Sequence, residues 1–272
     1  MLKDIFGKKK NIVIGAVHFP PLLGNKDFPG FKTALANALA DLSAFEKGDA
    51  DAIFLENNYG FSSEFVDTPV TVSMAYLIGE LRKKTSLPLG ASVLWNDYKT
   101  ALALAKTYSL QFIRVPVFVD DVKTYCGIIK GAAKNVARIR TEIGAQKVAI
   151  LADVHVKHAT LLSRMDLVAS AKKAIKEGAD ALILTGTWTG VSPELRDIER
   201  VRDAVGRFPL FVGSGANVHN VQDLCLIANG VIVSTSLKRG GAKRGERNVK
   251  GYTQRIDKQK VLAFTKRLKR KR

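Results

Sequence analysis

Short β-branched apolar runs recur along the chain, separated by longer stretches in which apolar residues follow helical spacing. Eight runs have strand character: residues 11–17, 51–55, 89–94, 112–117, 148–152, 181–184, 210–212 and 231–233. Each meets polar or glycine punctuation and then a helical stretch. After the first run, Ala34, Leu35, Ala38, Leu39, Leu42 and Phe45 trace one helix face. Three helical stretches enter related turns, Lys47-Gly48-Asp49-Ala50-Asp51, Ile143-Gly144-Ala145 and Glu177-Gly178-Ala179-Asp180, where glycine can take the left-handed position that closes a helix. A repeated joint predicts a repeated βα unit. Eight units in 272 residues predict an α/β fold, a single parallel (β/α)8 barrel of the TIM type over residues 1–272, with a basic loop and a C-terminal helix or tail at 237–272. An open doubly wound sheet more often has five or six strands and a glycine-rich first turn. Neither a GxGxxG nor a GxxxxGK[ST] motif follows any run, so dinucleotide and P-loop readings have no support.

Hydrophobic residues at 46% and charged residues at 25% exclude a dominantly disordered chain. The apolar run at 12–17 is too short for a signal or membrane segment, and the others are strand-sized; the expectation is a soluble, cytoplasmic protein. Cys126 and Cys225 follow no metal spacing and read as reduced structural thiols. The net charge of +18 is unevenly spread: residues 237–272 hold 15 Lys or Arg against 2 acidic residues, so +13 of it lies there. Such a segment can meet an anionic membrane surface, peripherally, or nucleic acid; it can equally be a solvated helix end and terminus. Its first twenty residues, 237–256, with four glycines and seven basic residues, are long enough to fold over a barrel mouth as a lid or to stay disordered.

In a TIM barrel the site is built at the C-terminal ends of the strands. The predicted ends are polar: His18, Glu56-Asn57-Asn58, Asn96-Asp97, Arg114, and the run Asp153-Val154-His155-Val156-Lys157-His158. Asp153, His155 and His158 can hold a divalent metal or transfer protons, and the residues leave both open. Because Asp-x-His alternates on a strand, Asp153 and His155 are expected on one face. Glu56 and Asp97 add carboxylates to the catalytic candidates. Lys157 offers a cation for an anionic group or, if desolvated, a Schiff-base amine. His18 is a ligand-binding candidate or a hydrogen-bonded core residue, and His219, beside Asn217, reads as a surface or cap residue. Gly213-Ser214-Gly215 and Ser234-Thr235-Ser236 have the small, donor-rich character of a phosphate grip, and Arg114 and Lys157 can join them.

Several segments together resemble the BtpA/SgcQ family: Gly15-Ala16-Val17-His18-Phe19-Pro20-Pro21-Leu22, Asp51-Ala52-Ile53-Phe54-Leu55-Glu56-Asn57, Leu94-Trp95-Asn96-Asp97, Phe112-Ile113-Arg114-Val115 and, most specifically, Asp153-Val154-His155-Val156-Lys157-His158-Ala159. Ala181-Leu182-Ile183-Leu184-Thr185-Gly186 and Val212-Gly213-Ser214-Gly215 continue the match, which spans roughly residues 11 to 237. The resemblance implies a barrel similar to the ribulose-phosphate-binding group. The family name comes from a cyanobacterial member tied to photosystem I biogenesis, other members are described as enzymes of sugar metabolism, and no reaction comes with the resemblance. Pro116 and Ser92 stand where many relatives would have asparagine, and the basic loop is longer, departures that bear on the substrate.

The leading expectation is an enzyme acting on a small phosphorylated metabolite, phosphosugar or nucleotide-like, by acid/base or metal-assisted chemistry of isomerase, lyase or hydrolase type. The alternative is a noncatalytic assembly or stabilising factor, as in photosystem biogenesis, that docks through its basic tail. Self-association is open in either case.

Overall fold

A computed structural model describes residues 2–59, 63–240 and 253–269. A short helix α1 (Leu2–Phe6) precedes β1 (Ile12–Phe19), α2 (Phe31–Lys47), β2 (Ala52–Asn57), α3 (Thr68–Arg82), β3 (Leu89–Val93), α4 (Tyr98–Thr107) and β4 (Phe112–Val115). Then come β5 (Val122–Thr124), β6 (Gly127–Ile129), α5 (Ala133–Glu142), β7 (Ala149–Val154), β8 (Thr160–Leu161), α6 (Leu167–Lys176) and β9 (Ala181–Leu184). The chain continues through α7 (Leu195–Val205), β10 (Leu210–Val212), α8 (Val221–Ile227), β11 (Gly230–Val233), a 3-10 turn (Thr235–Leu237) and α9 (Lys258–Lys269). The sheet closes on itself in the order β1-β11-β10-β9-β7-β4-β3-β2, and every neighbouring pair is parallel. This is the TIM barrel that the eight apolar runs predict.

Strand alternation divides the apolar residues between two cores. Ile12, Ile14 and Ala16 of β1, Phe54 of β2, Phe112 of β4 and Phe211 of β10 fill the barrel interior. The opposite parity, for example Val13, Ile53 and Ile113, packs beneath the helices with Ala34, Ala38, Leu42 and Phe45 of α2. Gly90 leaves the room that the Phe112 ring needs, since a Cβ there would lie 2.1 Å from it. Helix starts are set by local chemistry: Asp67, Asp97 and Asp166 cap α3, α4 and α6 by accepting hydrogen bonds from the N–H groups of Val70, Thr100 and Ala169.

Helix α1 and a small second sheet were not legible as runs. Helix α1 closes the barrel floor, its Phe6 ring lying 5.6 Å from Phe112 and 6.0 Å from Phe211. At the other end, β5, β6 and β8 form a small antiparallel sheet beside the mouth, packed on Trp95, Val117 and Val156.

Helix α9 buries Val261, Phe264 and Leu268, and Thr265 Oγ1 donates to Gly48 O at 2.9 Å, so residues 258–269 are a docked element of the barrel's outer layer. The ends of the basic loop are clamped by a Lys238–Ile256 antiparallel bridge and by Asp257 N donating to Leu237 O at 2.9 Å. The lid expectation falls largely on residues 241–252, and the last basic residues are 270–272; both lie outside the described residues. Among the described residues, no helix is long and apolar enough to cross a membrane. Cys126 and Cys225 are free thiols.

Candidate active site

The mouth at the C-terminal strand ends holds a cavity of about 730 Å³, a volume typical of small-molecule sites. Its floor is the next inward layer above the apolar core. His18 and Glu56 sit opposite one another in the β1–β2 register, and Arg114 follows Phe112 by two residues on β4, as Asp153 follows Leu151 on β7. Arg114 donates from Nε and Nη2 to the two carboxylate oxygens of Asp153, both at 2.8 Å, and from Nη1 to Glu56 Oε1 at 3.4 Å. Glu56 Oε2 accepts from Asn58 Nδ2 at 3.1 Å and faces His18 Nε2 at 3.0 Å.

Burial and these partners oppose each other in setting the protonation states. Desolvation pulls the Glu56 carboxyl upward, but its hydrogen bond to His18, with the His18, Arg114 and Lys157 charges, holds it down at about 2. Desolvation lowers His18 against the opposing pull of Glu56. A neutral His18 that donates from Nε2 to Glu56 keeps an acceptor at Nδ1, and that atom has no hydrogen-bond partner among the described residues. Lys157 lines the same cavity; desolvation and the neighbouring Arg114 outweigh Glu56 and Asp153 and bring its ammonium down to about 8. His158, also on the cavity wall, is lowered to about 4 by desolvation and then by Lys157 and Arg114. Lys238, buried within range of the Asp41 and Glu56 charges, is lowered to about 8 by desolvation.

The small-residue ends of β10 and β11 form one side of the rim. Ser214 Oγ donates to Val191 O at 2.7 Å and accepts from Gly186 N at 2.8 Å, and Ser236 Oγ donates to Ala216 O at 2.7 Å. These two hydroxyls tie loops together. Among the described residues, the backbone N–H groups of Gly215, Ala216, Thr235 and Ser236 donate to no group, and the buried Ser234 Oγ has no hydrogen-bond partner. Gly215 holds φ at +70°, and a Cβ on it would meet Ser192 N at 2.0 Å, so only glycine allows this approach.

Of the residues singled out from sequence, His18, Glu56, Arg114, Lys157, His158, Gly213, Ser214, Gly215, Ser234, Thr235 and Ser236 line one cavity. Asp153 lies beneath it, its side chain 0% exposed and used by Arg114. Two expectations are corrected. Asp97 is the cap of α4 and also accepts from Val66 N at 3.1 Å, outside the cavity lining. His155 does not share a face with Asp153: β7 ends at Val154, and a φ of +52° at His155 breaks the alternation. Its Nε2 lies 3.2 Å from Ser170 Oγ on α6, which in turn donates to Asp120 Oδ1. With Asp153 paired and His155 turned away, the Asp153-His155-His158 metal set is not assembled, and no group of three or more His, Cys, Asp or Glu able to hold a metal is found among the described residues. His219 is exposed, its N–H donating to Asn217 Oδ1.

Sequence reasoning passed over the aromatic lining, Tyr59, Trp95, Tyr125 and Trp188. A signal was present: both tryptophans of the chain follow closely on predicted strand ends.

A model of the BtpA family matches residues 9–270. The photosystem I biogenesis protein BtpA of Synechocystis sp. is 40% identical over 235 residues, which cover 85% of this chain and 82% of that protein. An sgc region protein, SgcQ, of Escherichia coli is 27% identical over 245 residues, 88% of this chain and 90% of that one. Among solved structures, N-(5'-phosphoribosyl)anthranilate isomerase from Pyrococcus furiosus superposes with a TM-score of 0.54 at 16% identity, covering 95% of this chain and 98% of the other, a likeness of fold.

Proposed function

The chain belongs to the BtpA family, and from that premise we propose that it is an enzyme that binds a small phosphorylated metabolite, a phosphosugar or nucleotide-like compound, and acts on it by acid/base chemistry. The observation that carries this reading is Lys157, an amine brought down to about 8 that lines the same cavity as the undonated N–H groups after β10 and β11. Those N–H groups suit phosphate oxygens, since they point partial positive charge at an anion without needing a side-chain cation. Lys157 exchanges a proton near neutral pH, where an ordinary lysine does not. His18 Nδ1 is a second proton acceptor, and its Nε2 is oriented by Glu56. Arg114, fixed by Asp153, supplies permanent positive charge for an oxyanion formed over the floor.

Calorimetric titration with a panel of sugar phosphates and nucleoside phosphates tests this. Saturable binding that inorganic phosphate competes away, and that Lys157→Met weakens, is expected; a panel without a single binder sinks the reading.

The charge distribution favours a second reading. Lys266, Arg267 and Lys269 of α9 are exposed, the sequence of 237–272 carries 15 Lys or Arg against 2 acidic residues, and a relative at 40% identity is named for photosystem I biogenesis. On this reading the barrel is a noncatalytic assembly or stabilising factor that docks on an anionic membrane surface or on nucleic acid. Because Leu268 is buried, replacing Lys266, Arg267 and Lys269 by Gln is a cleaner test than truncation: salt-sensitive binding to anionic vesicles or duplex DNA should fall while small-ligand binding persists.

A further inference from the structure

We infer that the wall of the cavity opposite the phosphate nest is a subsite for a planar aromatic or heteroaromatic ring, so that the ligand is a phosphomonoester bearing such a ring, with the chemistry of a nucleoside monophosphate. This rests on the phosphate reading above and adds the ring to it.

The strand order supplies the geometry. In the closed ring β10 and β11 stand four places from β3 and β4, which is diametrically across the mouth. The undonated N–H groups belong to the first pair. Across from them, Trp95 follows β3 by two residues, and Tyr125 sits at the tip of the β5–β6 hairpin that follows β4. Their rings meet edge to face at 6.3 Å, and Trp95 is held from behind by Val117, Val122, Ile129 and Val156. Trp188, after β9, stands on the rim between the two walls, edge-on to His158 at 5.0 Å.

The chain has two tryptophans, and both line this one cavity. Trp188 is 37% exposed and Tyr125 68% exposed. Large rings left accessible at a concave polar site are surfaces for another ring, because stacking recovers the apolar area while the mouth stays open. A bare sugar phosphate would leave this wall against water. With phosphate on one wall and the ring on the other, the unit that joins them lies over Glu56, Arg114, Lys157 and His18, and the chemistry falls on the connecting sugar or its bond to the ring.

The test is titration of the full chain with AMP, UMP, ribose 5-phosphate and inorganic phosphate, repeated on Trp188→Leu and Tyr125→Leu. Both side chains are accessible, so either variant guards against a folding defect in the other. AMP should bind at least about tenfold tighter than ribose 5-phosphate, and Tyr125→Leu, on the ring wall, should weaken AMP by about tenfold, with a smaller loss in Trp188→Leu, while both leave ribose 5-phosphate within about twofold. AMP should also quench tryptophan fluorescence saturably. Equal affinity for AMP and ribose 5-phosphate, unchanged in both variants, overturns the ring subsite and leaves the phosphate reading standing. Failure of every phosphorylated probe overturns both.

Discussion

Arg114 meets Asp153 edge on, its Nε and Nη2 each giving a 2.8 Å hydrogen bond to a different carboxylate oxygen. Both side chains are withdrawn from solvent, at 7% and 0% exposure. Asp153 is thereby committed to holding a cation, and Arg114 is left one nitrogen, Nη1, to turn toward Glu56.

Removing one partner strands the other charge. Asp153→Ala should lower stability by about 3–5 kcal/mol, and the paired change Arg114→Met with Asp153→Leu should recover much of that loss. Urea unfolding of the three proteins decides it; a cost below about 1 kcal/mol for Asp153→Ala would contradict the buried pair.

Lys157 predicts a pH dependence of definite sign. Unfolded, it keeps its proton up to its ordinary value of 10.5; folded, only up to about 8. Between these values the unfolded chain binds more protons, so stability attributable to Lys157 rises with pH across that window and is lowest below it. Lys157→Met should therefore raise the melting temperature at pH 7 and lose that advantage toward pH 10.5. Lys238 titrates in the same range, so difference curves between single variants are needed to separate the two.

Glu56 titrates in the opposite sense. Its folded value of about 2 lies below the ordinary 4.5, so the stability it contributes is complete above pH 4.5 and is lost as pH falls toward 2. Glu56→Gln should flatten acid unfolding over that interval, as followed by circular dichroism; an unchanged acid midpoint would count against the His18–Glu56–Arg114 cluster.

Gly215→Ala forces a Cβ into the Ser192 backbone and a side chain onto a φ of +70°. Stability should drop by about 1–3 kcal/mol, and binding of inorganic phosphate should drop with it, since the loops after β9 and β10 are tied through Ser214. Retained phosphate affinity would remove Gly215 from the nest.

Phe6→Ala empties the barrel floor between Phe112 and Phe211. A loss of about 3 kcal/mol is expected in thermal or denaturant unfolding. A negligible loss would mean that α1 is not part of the core.

The barrel was legible because its signal is local and repeated: apolar runs of strand length, helical spacing between them, and glycine at similar joints. Most of the candidate site's cavity lining was legible for a related reason. Once the strands are placed, period-two alternation carries Ile14 to His18, Phe54 to Glu56 and Phe112 to Arg114, so the inward polar layer follows from the inward apolar one. Alternation misled at His155, where the backbone leaves the extended region one residue after β7 ends, and at Asp97, where a carboxylate just before a helix caps it. Helix α1 was hidden because a five-residue amphipathic segment among lysines gives too few periods to read.

The sequence by itself therefore determined the βα repeat, the closed barrel, and which residue types stand at its mouth, because strand and helix periods are properties of the local backbone. Only the tertiary structure decided what those residues are. Asp153 became a holder of Arg114, Lys157 an amine titrating at about 8, and the two tryptophans parts of one wall and rim, because pairing, desolvation and ring placement depend on which strands become neighbours, or opposites, when the sheet closes.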